Sequence, residues 1–267
     1  RPRPAAPRGG GAHVEADVDA TVHRELLGLA DRAGASLFMV LHAAVGALLT
    51  RCGAGEDIVL GTPVAGRTEP ALDHLIGLIT NTLVLRADTS GDPAFLDLLA
   101  RLRADDLAAL DHQDLPFDRL VDELNPPRRP GRHPLFQVML ALQNNEPAEL
   151  ALDGRRTRLR PTATGTAKFD LFVDVLERRT PDGAPDGLAV HVEYATDLYD
   201  AGTAEAFARA LHDVLRTVCA DPGVRVGDLP APPQRTPAPS APDTAELEGT
   251  ALSVPGIRDA RALPGAD

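Results

Sequence analysis

From Leu37 to Leu49 the sequence reads LFMVLHAAVGALL, a run broken only by His42 and Gly46. A helix that is apolar on most of its sides cannot lie on a protein surface, so the fold must enclose this one within a large core. Ser36 in front is a natural N-cap and Gly53 behind is a natural stop. At 13 residues the run falls short of the roughly 20 needed to cross a bilayer. A chain of 267 residues with 43% hydrophobic content is long enough to build the surrounding core. His42 is then read as an interior histidine with its polar atoms satisfied.

The elements around this helix follow from periodicity. Residues 12–18, AHVEADV, alternate like a half-buried strand, and Asp19 caps a helix that buries Val22, Leu26 and Leu29 before Gly34. DIVLG (57–61) and NTLVLR (81–86) read as short buried strands joined by a Gly/Pro loop. Asp92 and Pro93 start a helix whose Phe95, Leu98, Leu99 and Leu102 share one face. In DHQDLPFDRLVDEL (111–124), Asp114 is the expected N-cap, Pro116 belongs in the first turn, and Phe117, Leu120, Val121 and Leu124 form a stripe for the core. LFQVMLALQ (135–143) is apolar on both faces, as a central strand is. KFDLFVDVLERR and GLAVHVEYAT make a hairpin around TPDGAPDG, with Asp170 and Asp174 on one face of the first strand. A last amphipathic helix runs from about Gly202 to Cys219. Helices and strands are mixed without strict alternation, so the reading is an α/β fold with a mixed sheet flanked by helices.

Residues 1–10 are a basic, Pro/Gly-rich linker without the apolar core of a signal peptide, residues 11–230 the domain, and 231–244 a Pro-rich linker before a tail at 245–267. Cys52 and Cys219 have no zinc spacing, which fits a reducing cytoplasm and no metal. A formal charge of -12 argues against nucleic acid as a partner, and no apolar run argues for a membrane.

Six segments then carry a resemblance: IVLGTPVAGR (58–67), LIGLITNTLVLR (75–86), HQDLPFDRLVDEL (112–124), RHPLFQVMLALQN (132–144), TAKFDL (166–171) and EYATDLYD (193–200). In this order they resemble the condensation domains of nonribosomal peptide synthetases. The resemblance implies one lobe of the two-lobed fold of CoA-dependent acyltransferases, with a tunnel between the lobes that phosphopantetheine arms enter from either side. Family members carry HHxxxDG in the N-terminal lobe, and none of the eight histidines here stands in such a motif. The chain therefore resembles the C-terminal lobe, supplies no catalytic residue of its own, and binds no cofactor beyond the tethered arms of its substrates.

The resemblance makes Arg67, Asn81 and Asn144 candidate substrate-binding residues on the tunnel wall. Local chemistry offers a second reading of each: a tight Gly/Pro connection before Arg67, satisfaction of backbone groups by Asn81, and turn chemistry at Asn144. Arg132 and His133 are candidates for a carrier phosphate, which a planar guanidinium recognises well, or a solvated loop. His112, Asp114, Pro116 and Phe117 mark the family motif and are mainly structural. The implied partners are the N-terminal lobe, peptidyl carrier domains and an adenylation domain, of whose C-terminal subdomain the tail is a possible remnant. Two rival readings stay open: a carrier-docking or scaffold fragment without catalysis, and a lobe of an epimerisation or heterocyclisation domain.

Overall fold

The computed structural model describes residues 1–4, 6–67, 76–77, 79–144 and 164–233. The tail at 245–267, all but the first residues of the 231–244 linker, and the turn expected after Asn144 lie outside the described residues. The strands are β1 (Gly11–Val18), β2 (Asp57–Val64), β3 (Asn81–Asp88), β4 (Val138–Gln143), β5 (Leu171–Arg179) and β6 (Pro185–Ala195). The helices are α1 (Ala20–Arg32), α2 (Leu37–Arg51), α3 (Phe95–Asp111), α4 (Phe117–Leu124) and α5 (Ala201–Ala220).

All six described strands join one sheet in the order β1-β6-β5-β4-β2-β3. The central pairs β2/β4 and β4/β5 are parallel, and the outer pairs are antiparallel. The sheet is therefore mixed, as the scattered strand pattern implies. Leu60, Leu140, Val173, Val175, Val190 and Val192 point from it into a core shared with α1, α2, α3 and α5. Twelve residues of α2 are buried, which is the enclosure its all-round apolarity demands. Asp19 accepts from the Thr21 and Val22 amides, and the Ser36 hydroxyl accepts from the Met39 amide, so both expected caps are present. Among the described residues no single helix is long and apolar enough to cross a membrane.

Several local expectations are corrected. The α3 N-cap is Ala94, because Asp92 turns into the left-handed region at φ 50 and uses its carboxylate to accept from the Gly227 amide at 2.6 Å. The first amides of α3 instead donate to the carbonyls of Val224 and Pro222. Pro116, not Asp114, stands at the α4 N-cap. The α4 stripe does not reach the core: none of its residues is buried, and Leu124 is 59% exposed. Asp170 lies just outside β5, which begins at Leu171, so it and Asp174 do not share a strand. His42 is only half satisfied: Nδ1 bonds both carboxylate oxygens of buried Asp106 at 3.0 and 3.1 Å, while Nε2 has no hydrogen-bond partner.

Candidate functional site

The sheet face away from the four long helices is where the chemistry-bearing side chains gather. Gly61 of β2 lies there beside Met139 in register. A Cβ at Gly61 would come within 2.3 Å of the Phe136 ring, so glycine lets that ring settle directly on the backbone. Around Phe136 stand His133 at 4.3 Å between ring centroids, Phe169 at 5.5 Å and Phe117 at 5.8 Å. His133 also stacks on Phe117 at 5.5 Å and meets Phe169 edge-on at 5.1 Å. Burial among these rings pushes the His133 imidazole below its ordinary pKa, opposed by the Pro134 carbonyl at Nδ1. Its side chain is held near neutrality as an aromatic wall.

Asn81, at the start of β3, ties the family motif to this wall. Its Nδ2 donates to the carbonyls of Gln113 and Leu115 at 2.8 and 2.7 Å, and its Oδ1 accepts from the Phe117 amide at 3.0 Å. The amide thus occupies the position a local cap side chain would fill, from a strand 36 residues away in sequence.

Beside the aromatic wall lies a cavity of about 380 Å³ lined by Arg3, Arg132, His133, Lys168, Phe169 and Asp170, among others. Asp170 and Asp197 also line it, paired with Arg3 and Arg8, so the exposed Arg132 and Lys168 leave the lining positive on balance in a chain of formal charge -12. Such a lining favours a singly or doubly charged anion over a neutral group. Further along the same face, Asp174 accepts from the Gln143 amide at 3.1 Å and lies opposite His191, which approaches Glu15 at 3.4 Å. Burial raises the Asp174 carboxyl above its ordinary pKa, and Glu193 is raised for the same reason.

The structure brings Asn81, Phe117, Arg132 and His133 into one neighbourhood. Asn144 is exposed and follows the far end of β4 from the one at which Phe136 enters, a strand length of roughly 17–20 Å away. Arg67 is half-buried three residues beyond β2. His112 is the exposed C-cap of α3, and Asp114 and Pro116 are exposed beside it. Arg3 and Lys168 are not among the expected site residues: Arg3 lies in the basic opening linker and Lys168 in the TAKFDL segment, and nothing local shows that Arg3 meets Asp170 or that both line one cavity. Among the described residues no three His, Cys, Asp or Glu side chains are grouped to hold a metal ion.

A family model described as Condensation domain matches residues 1–238. The chain is 49% identical over 227 residues to a dimodular nonribosomal peptide synthase of Bacillus subtilis (strain 168), covering 85% of this chain and 10% of that protein. Among solved structures it is similar to the X-domain from teicoplanin biosynthesis, with 36% identity and a TM-score of 0.80 over 86% of this chain and 51% of that one. The same X-domain in complex with OxyB gives 37% identity and a TM-score of 0.78 over 86% of this chain and 50% of that one. Solved condensation domains of lower identity share the fold. The chain thus spans about half of these solved domains and a small part of the curated synthase.

Proposed function

Because the chain belongs to the condensation domain family, we propose that it supplies the C-terminal half of the reaction tunnel of a nonribosomal peptide synthetase. The chemistry is amide formation between two carrier-borne substrates. The acceptor amine attacks the donor thioester carbonyl, a C–N bond forms, the C–S bond breaks, and the thiol leaves with the proton the amine gives up. A thioester is already activated, so the protein's task is to align two arms and to accommodate charge on the amine and the tetrahedral oxyanion. This half contributes wall and alignment, and the positioned histidine comes from the half that carries HHxxxDG.

The observation that carries the reading is the basic cavity beside the aromatic wall. Arg132 and Lys168 suit the phosphodiester of a phosphopantetheine arm, and His133 with Phe169 gives the arm's methyl-bearing stem an apolar surface. Asn81 supports the wall, Arg67 is a candidate substrate contact beyond β2, and Asn144 offers an amide to a second arm at the other end of β4. The partners are the preceding lobe, carrier domains and an adenylation domain of a modular assembly in the cytoplasm. Purified chain incubated with donor- and acceptor-loaded carriers yields no dipeptidyl product, and adding the separately expressed preceding half restores it. Turnover by the chain alone overturns this division of labour.

A second reading, a docking domain without catalysis, takes its support from one comparison: the X-domain with which the chain shares 37% identity is solved in complex with OxyB. Reading the coding sequence ahead of Arg1 separates the two. HHxxxDG in frame supports condensation, and a degenerate motif supports docking.

A further inference from the structure

Residues 1–4 and 6–10 form no helix, yet they are bound along the domain as a strap. Gly10 bridges to Thr166, the Ala167 amide donates to the Gly9 carbonyl at 3.2 Å, and the Arg8 amide donates to Asp197 at 2.7 Å. Pro7 sits on Gly131, where a Cβ would lie 2.2 Å from its Cγ and where φ is +67. Within this strap Arg3 is the group that reaches two loops at once. Its Nη1 donates to the Gly131 carbonyl at 2.7 Å and to Asp170 Oδ1 at 2.9 Å, and its Nη2 donates to the other oxygen of Asp170.

The two anchor points flank the cavity wall. Gly131 immediately precedes Arg132 and His133, and Asp170 immediately follows Lys168 and Phe169. His133 and Phe169 touch across the gap at 5.1 Å, and the Gln137 side chain donates to the His133 carbonyl while the Gln137 carbonyl accepts from the Asp170 amide at 3.0 Å. Arg3, Gly131, His133, Phe169 and Asp170 therefore close a ring around one side of the cavity. Without the guanidinium, the loop carrying Arg132 and the segment carrying Lys168 lose their one charged side-chain link and keep the ring contacts and the two hydrogen bonds through Gln137. A forked donor suits this task because its nitrogens serve a carboxylate and a carbonyl in one plane, which an ammonium cannot do.

We propose that Arg3 is a positioning residue: it clasps Gly131 to Asp170, fixes the separation of Arg132 from Lys168, and so sets the seat of a phosphate monoester or diester in the cavity. The proposal rests on the reading of that cavity as the place of a pantetheine phosphate. The clasp itself carries no free charge for the ligand, because Asp170 neutralises it.

The test uses the full-length synthetase with its carriers kept free of their own arms, and measures binding of 4′-phosphopantetheine and of pantetheine, which lacks the phosphate. Arg3→Met keeps the stem and removes the fork; phosphopantetheine binding weakens about tenfold while pantetheine binding stays within about twofold. Arg3→Lys keeps the charge and serves one acceptor, giving an intermediate loss, and is the variant to read where Arg3→Met does not fold. Unchanged phosphopantetheine binding in the Arg3 variants, alongside a loss in Arg132→Ala, overturns the clasp and leaves the cavity reading standing. No loss in Arg132→Ala overturns the cavity reading and the clasp with it. Equal losses for both ligands show general damage to the wall and also overturn the positioning role.

Discussion

Individual residues on the sheet face and at its rim set narrow tolerances. Phe136 is 2% exposed and rests on Gly61, so Gly61→Ala must displace the ring or the strand and costs about 2 kcal/mol, read as a lowered urea midpoint with the slope unchanged. A variant as stable as the parent would show that the ring moves freely. His23 makes a different demand. Its Nδ1 accepts from the Gly187 amide at 3.2 Å, which leaves Nε2–H to face Glu177 at 3.2 Å. Burial holds this imidazole below its ordinary pKa, with Glu177 pulling the other way. A pKa lower in the folded state than in the unfolded one means that stability is complete above about pH 6.5 and is lost as the pH falls through the depressed value. The urea midpoint therefore drops between about pH 7.5 and pH 5.5, and drops less in His23→Gln; equal drops in the two proteins would assign the effect elsewhere. Residues of this kind were only partly legible. His133 stands out beside Arg132 in the sequence, but two of its three ring partners, Phe117 and Phe169, come from distant segments, and the role of Gly61 depends on a phenylalanine just ahead of β4.

At the scale of elements, periodicity succeeds where the cap and the apolar face are both local. α1 and α2 keep the limits that Asp19, Ser36 and Gly53 set, α5 starts one residue before the expected Gly202 behind an Asp200 cap that the periodicity did not name, and each buries its apolar residues. α4 shows why the rule fails elsewhere. Asp114 has the right chemistry for a cap, but Asn81 reaches across from β3 and takes the Phe117 amide, and no local pattern encodes that meeting. Asn81→Ala removes two carbonyl partners and one amide acceptor, which costs about 2 kcal/mol and loosens the 113–117 turn. Amide exchange then accelerates from Phe117 through Leu124 while the β5 and β6 amides keep their protection. Uniform acceleration across the sheet would make Asn81 a global support rather than a cap. The candidate site was legible to the same extent: its motif segment and the Arg132–His133 pair were visible, whereas Arg3 depends on Asp170, 167 residues later in the chain.

Over the whole molecule, strand order decides what can fold by itself. β1 pairs with β6 in this sheet, and α5, the last long helix, packs on β1 and β6. A chain ending at Asn144 keeps four of the six strands and three of the four long helices, yet loses β5, β6 and α5. It shows no cooperative thermal transition in circular dichroism; a sharp transition would mean that β2, β3 and β4 with α2 and α3 suffice. The mixed sheet and its helices were readable from strand length and alternation, but the pairing of first strand with last was not, because alternation fixes which face is buried and says nothing of which neighbour lies alongside. That pairing has a cost in time. On a ribosome β1 emerges well before its partner, which follows on the order of ten seconds later at ordinary elongation rates. Through that interval β1 is a strand without a mate, and His13, Glu15 and Asp17, the exposed residues alternating along it, put charge or polarity where an unintended strand would otherwise dock.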